Sequence, residues 1–266
     1  MEFLLVQLLN SLSYGLLLFM LSSGLTLIFS MMGILNFAHA SFYMLGAYFA
    51  YETSRHIGFW PALIVAPVVV GITGIVIERL LLQWLYKLDH LYGLLLTFGL
   101  ALIIEGVARN YLGSAGLPYR VPDSLTGGQN LGFMFLPNYR AWVIVASLVV
   151  CVATWFIIER TKLGSYLRAA TENPALVQAF GVNVPRMITL TYGFGVALAG
   201  FAGVLSGIVF IGQIAGKWTE GGWVVLISFT VLALTANLLL ISPIGYREPK
   251  QIYRIVRQKA RVQGAM

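Results

Sequence analysis

Asn36, His39 and Ser41 fall inside a long apolar stretch that runs from Gly24 to Tyr48. A carboxamide, an imidazole and a hydroxyl this close together could bind a polar solute, or hold the backbone across a helix break. Polar groups in hydrocarbon must find partners or line water, so the three are candidates for a functional site. The spacing of three places Asn36 and His39 on one helix face. No carboxylate or second histidine shares the segment, which leaves a metal site or a proton relay with weak support, and no metal or cofactor is expected.

Other reactive residue types are scattered. Ser206, set before Gly207 among small residues, could act as a membrane nucleophile with His39 as its base. No third group orients that imidazole, and a serine among glycines is more often a packing residue, so the chain is not expected to be an enzyme. Glu105 and Arg109 stand four apart and predict a self-neutralising pair on one helix surface. The stretch Gly212-Gln213-Ile214-Ala215-Gly216-Lys217-Trp218 is one residue short of a phosphate-binding loop and has Trp where Ser or Thr would hold magnesium, which excludes ATP binding of that kind. The single cysteine, Cys151, has no partner for an internal disulfide and reads as a packing residue.

The elements that must position these residues follow from composition. Of 266 residues, 59% are hydrophobic and only 10% charged, with 28 glycines and a mean hydropathy of +0.83. A soluble domain carries about 25% charged residues, so a soluble globular enzyme is excluded. The apolar runs are near-continuous, unlike the alternating segments of about ten residues that build a β-barrel. Runs at roughly 4–30, 34–51, 61–82, 91–112, 140–159, 187–211 and 223–242 predict an all-α polytopic transmembrane bundle of about seven spans. Polar side chains interrupt the second run, so a broken or re-entrant element is the alternative there. Met1-Glu2-Phe3 carries neither a basic region nor a small-residue cleavage site, and the first run is expected to be a retained span.

The net charge of +7 is first a topology signal, not a mark of nucleic-acid binding. With the N-terminus outside, the inner segments hold Arg79, Lys87, Arg160, Lys162, Arg168, Arg186, Arg247, Lys250, Arg254, Arg257, Lys259 and Arg261. The outer segments then hold Arg55, Arg109, Arg120, Arg140 and Lys217. Twelve against five favours N-outside and C-inside. The basic loop 160–186 then faces the cytoplasm, and the Gly- and Pro-rich loop 113–138 lies outside.

Within the basic loop, Asn173, Pro174 and Gly181 predict a short helix over 174–180, with an N-cap asparagine, a first-turn proline and a closing glycine. Leu176, Val177 and Phe180 fall on one face by their spacing. That face needs cover, from the bundle and lipid or from a cytoplasmic partner. In the sixth run, Gly195, Ala199, Gly203 and Gly207 recur every four residues and make a strip where another backbone can approach closely. Packing within the chain, a partner subunit or a solute could use it.

Two ordered motifs carry a family resemblance. Gly24-Leu25-Thr26-Leu27-Ile28-Phe29, Gly33-Ile34-Leu35-Asn36-Phe37-Ala38-His39 and Met44-Leu45-Gly46-Ala47-Tyr48 resemble the N-terminal signature of the Liv-type permease subunits of branched-chain amino-acid ABC transporters. Thr161-Lys162-Leu163-Gly164, Arg168-Ala169, Asn173, Gly181-Val182-Asn183-Val184 and Ala197-Leu198-Ala199-Gly200-Phe201-Ala202-Gly203 resemble that family's cytoplasmic coupling loop and following span. Position 40 is Ala where the family usually has Gly. The resemblance covers about residues 1–213, a permease transmembrane domain, and leaves 214–266 as a divergent last span and basic tail.

The resemblance implies a multi-pass subunit of the bacterial inner membrane, paired with a second related permease subunit, two cytoplasmic ATP-binding subunits and a periplasmic solute-binding protein. It implies that the helix at 174–180 is a coupling helix seated on an ATPase, and that Asn36, His39 and Ser41 lie near the translocation pathway. Import of urea or short amides is the alternative within the family, and a passive channel-like subunit the alternative outside it.

Overall fold

Membrane interiors offer a backbone amide no water, so long apolar segments satisfy their hydrogen bonds internally as helices. A computed structural model describes residues 2–86, 88–112, 121–130, 132 and 135–214. Its helices are α1 (Glu2–Met32), α2 (His39–Ile57), α3 (Phe59–Leu80), α4 (His90–Leu112), α5 (Asn138–Arg160), α6 (Lys162–Glu172), α7 (Pro174–Ala179) and α8 (Val184–Ile214). A 3-10 turn, Leu82–Leu85, follows α3. Before α5, Gly128–Asn130 pairs antiparallel with Phe135–Pro137, with Gly128 opposite Pro137.

Five of these helices are long and apolar enough to cross a membrane: Ser11–Met32, Phe59–Leu80, His90–Tyr111, Asn138–Arg160 and Val184–Gly207. They coincide with the first, third, fourth, fifth and sixth predicted runs. The expected span 223–242 and the basic tail from Arg247 lie outside the described residues.

The second predicted run is corrected. Gly33 takes φ +66, a conformation that suits glycine and ends α1, and the chain stays out of helical geometry until His39. Its last turns hold Glu52, Ser54, Arg55 and His56, which keeps α2 from being a uniformly apolar span.

Helix α8 forms the centre and packs on α1, α2 and α3. Glycines bring the backbones together. A Cβ on Gly195 would lie 2.6 Å from the Gly24 carbonyl oxygen, and one on Gly203 would strike the Tyr43 carbonyl. Ala199 is fully buried, and Gly207 faces the methyl of Ala47, so the strip predicted from spacing points at α1 and α2 of the same chain. Close approach raises dispersion contact, which is what holds helices together where lipid is as apolar as the side chains.

The two ends of the bundle have distinct cores. At one end Leu17, Met20, Phe59, Tyr139, Val143 and Leu205 cluster, beside the edge-to-face rings of Trp60 and Trp142, and the Tyr139 hydroxyl donates to the Leu205 carbonyl at 3.0 Å. At the other, Met31 from the end of α1 packs beside Ala170, Val177 and Val184. Cys151 is half-buried against the first cluster. Glu105 and Arg109 pair at 2.6 Å on the surface of α4, as their spacing predicts.

The helix contacts generate a contrast. Gly203→Ala, which forces a methyl onto backbone, is expected to destabilise the protein by roughly 1–3 kcal/mol. Gly99→Ala, where nothing lies within 4 Å, is expected to be neutral or to stabilise by up to about 1 kcal/mol. Thermal unfolding in detergent measures both, and equal shifts would contradict the close packing of α8 on α2.

Candidate functional site

The break between α1 and α2 lies deep in the bundle. His39, the first residue of α2, places its Nε2 2.9 Å from the carbonyl oxygen of Leu21. Leu21 precedes the end of α1 at Met32 by roughly 16 Å along the helix axis. The chain therefore turns back at Gly33 and climbs beside α1, over a segment from Ile34 to Ala38 that can span about 16 Å when extended. Helix α2 starts near mid-depth of the bundle.

Two amides along the climb are held by side chains. Asn36 Oδ1 accepts from the Ala38 amide at 3.1 Å, and the Asn36 carbonyl accepts from the His39 amide at 3.1 Å. The Phe37 amide donates to Thr97 Oγ1 of α4 at 3.3 Å. On its other side, Asn36 Nδ2 donates to the Tyr192 hydroxyl of α8 at 2.9 Å. Asn36 thus lies before α2, closing the turn that leads into it, so the expectation that Asn36 and His39 share a helix face is overturned. The asparagine captures the amide that a continuous helix would have used.

His39 is buried, and because the Leu21 carbonyl can only accept, Nε2 carries the proton. Its Nδ1 then presents a lone pair, without a partner among the described residues. Ser41 is half-buried one turn into the helix. Ser206 lies elsewhere: its hydroxyl donates to the Gly203 carbonyl at 3.0 Å, and it stands roughly 16 Å further along α8 than Gly195, which is level with Gly24 and His39. The nucleophile and base of a hydrolase are not assembled.

Three further residues complete this polar interior. Glu78, near the end of α3, is 1% exposed, and one of its carboxylate oxygens accepts from the Tyr86 hydroxyl while the other lacks a partner among the described residues. Burial, and then the Glu78 carboxylate, hold the Tyr86 hydroxyl far above the usual phenol range, so it stays protonated and donating. Tyr192, the partner of Asn36, is fully buried within electrostatic reach of Glu78. A glutamate four residues from the end of an apolar run looks like an interfacial charge in sequence. Only the fold of the 3-10 turn, which brings Tyr86 back onto α3, puts it inside.

On the face shared with the end of α1, the loop 160–186 forms α6 and α7. Asn173 Oδ1 accepts from the Leu176 amide at 3.0 Å, Pro174 fills the first turn, and Gly181 at φ +84 closes the helix. The three apolar residues do not act as one face. Val177 packs against Ala170 and Val184, whereas Leu176 is 54% exposed and Phe180, at the C-cap, 80% exposed. One edge of α7 is anchored on the bundle and the other is left open.

The model of the family described as branched-chain amino acid transport system / permease component matches residues 7–246. The chain belongs to that family. The match runs past residue 213 to 246, which corrects the expectation that the family resemblance stops near 213 and leaves only 247–266 beyond it. Among individual permeases, the chain is 26% identical to the high-affinity branched-chain amino acid transport system permease protein BraD of Pseudomonas aeruginosa, over 79% of this chain and 75% of that one. It is 30% identical to the probable branched-chain amino acid transport permease protein LivH of Methanocaldococcus jannaschii, over 72% of this chain and 62% of that one. A fructose import permease protein of Rhizobium meliloti is 31% identical over 48% of this chain and 35% of its own length. No solved structure matches the chain. With five membrane-competent helices in the described residues, this permease is a multi-pass membrane protein.

The bond between Asn36 and Tyr192 has a measurable signature. Tyr192→Phe leaves the Asn36 amide unsatisfied and is expected to cost about 1–3 kcal/mol. Asn36→Ala is expected to cost a similar amount through the lost turn bond to the Ala38 amide and the lost bond to Tyr192. A double-mutant cycle followed by unfolding in detergent should show the pair costing less than the sum, and strict additivity would contradict the bond.

Proposed function

We propose that this chain is the membrane-spanning permease subunit of an ABC importer for branched-chain amino acids, with no catalytic step of its own. The observation that carries the reading is the family match over residues 7–246. In this reading the chain sits in the bacterial inner membrane with about seven spans, N-terminus outside and C-terminus inside. It works with a second related permease subunit, two cytoplasmic ATP-binding subunits and a periplasmic solute-binding protein. The orientation is supported by Arg79, Arg160, Lys162, Arg168 and Arg186, which cluster on the face of the bundle where α1 ends.

Helix α7 is the coupling helix. Its open edge, with Leu176 and Phe180, is the part free to seat in a groove of an ATP-binding subunit. Its anchored edge transmits the motion through the small core of Ala170, Val177 and Val184, against which Met31 also packs, two residues before the break begins at Gly33. A push on α7 therefore reaches the base of the segment that carries Asn36, His39 and Ser41, the proposed lining of the pathway. The solute is left to the binding protein, in keeping with a fructose permease among the similar chains, and urea or short amides fit the same scaffold.

Phe180→Asp, at an exposed position, is expected to leave membrane insertion intact while uncoupling ATP hydrolysis from uptake. The measurement is radiolabelled leucine uptake and ATPase activity in vesicles reconstituted with the ATP-binding subunits and binding protein. Uptake at the unaltered rate would remove the coupling-helix assignment.

A further inference from the structure

Helices α1, α5, α6 and α8 leave a gap between them near the end where α6 begins. The gap is a partly open cavity of about 290 Å³, walled by Leu27, Ile157, Leu163, Leu167, Leu190 and Phe194. Its lining is almost entirely carbon. The tight turn into α6 makes it: Gly164 packs directly on the Ile158 carbonyl, where a Cβ would collide, and this folds Leu163 and Leu167 back beneath α5.

The rim has the opposite character. Arg160 ends α5, Lys162 starts α6 and Arg186 lies in the first turn of α8, next to the groove residue Met187. All three are exposed, and none is in an ion pair among the described residues. Arg168, by contrast, is held by Glu159 at 3.0 Å. Trp155, over which the Arg160 guanidinium sits at 6.0 Å, is a residue type that favours the membrane–water boundary. An apolar slot inside the hydrocarbon, ending at unpaired cations on the boundary, has the charge and polarity layout of one phospholipid.

We propose that this groove binds a single anionic phospholipid of the cytoplasmic leaflet, with an acyl chain between α5 and α8 and the phosphate on Arg160, Lys162 and Arg186. The leaflet rests on the N-outside orientation proposed above. The bound lipid wedges α6 against the base of α8, on either side of α7, and so stiffens the loop that the ATP-binding subunit engages. The basic rim decides between occupants, since a neutral lipid or a transmembrane helix of a partner would use the slot but leave the three cations unmatched.

The test is native mass spectrometry of the purified full chain, titrated with dioleoyl phosphatidylglycerol or dioleoyl phosphatidylcholine. One phosphatidylglycerol is expected to be retained at least about tenfold more tightly. Arg160→Ala, Lys162→Ala and Arg186→Ala together should abolish the preference, Arg160→Lys with Arg186→Lys should keep it, and Leu190→Trp should reduce binding by filling the slot. Equal retention of both lipids, no retained lipid, or a preference that survives the triple substitution would overturn the proposal. Lys162→Cys in a Cys151→Ala background, probed with a membrane-impermeant maleimide on right-side-out vesicles, separates the two layers. Labelling from outside reverses the orientation and the leaflet alone, whereas protection combined with lost lipid preference rejects the site alone.

Discussion

Backbone amides at membrane depth have no water to bond to, and the stretch from Gly33 to Ala38 is where this chain meets that constraint outside a helix. Such backbone is tolerated only where protein surrounds it or where it lines a cavity. Here the protein supplies the partners: Asn36 to the Ala38 amide, Thr97 to the Phe37 amide, and Tyr192 to the Asn36 side chain. Two other helices, α4 and α8, converge on six residues. The position of α4 and α8 relative to α1 is therefore tied to the polar needs of one short segment.

That convergence requires α8 to lie close to α1 and α2, and the glycines permit it. Gly195 meets Gly24, and Gly203 and Gly200 meet Tyr43 and Gly46. A side chain at these points would hold the helices apart and strand the Asn36 to Tyr192 bond. The small-residue strip and the polar break are two parts of one arrangement, with dispersion along the strip holding the donors and acceptors in range. Glu78 and Tyr86 extend the polar interior toward the face where α6 and α7 lie. The same face carries the cluster of Ala170, Val177 and Val184 with Met31 packed against it, so the loop, the end of α1 and the break form one continuous packed unit.

Much of the helical framework was legible because hydropathy acts over long windows. A run such as 140–159 is long and apolar enough to be a membrane-crossing helix, and α5 covers it. The caps of α7 were legible for a local reason: Asn173, Pro174 and Gly181 fix dihedrals and satisfy amides within a few residues. The start of α2 was not, because the competition between Asn36 and the helix ladder depends on Tyr192 and Thr97, far away in sequence. Glu78 was missed for the same reason. Val177 also broke from its neighbours, since its partners Ala170 and Val184 come from separate helices.

By itself the sequence determined that this chain belongs in a bilayer, where the five long apolar helices lie, where α7 begins and ends, and, through two ordered motifs, its permease family. These are properties of composition and of local chemistry, read over neighbouring residues. Only the tertiary structure decided that α2 begins at mid-depth, that the glycine strip serves α1 and α2, that Glu78 is interior, and that α7 offers Leu176 and Phe180 but not Val177. Each of those depends on contacts between residues distant in the chain, where hydrogen-bond partners and packing surfaces exist only once the helices have been brought together.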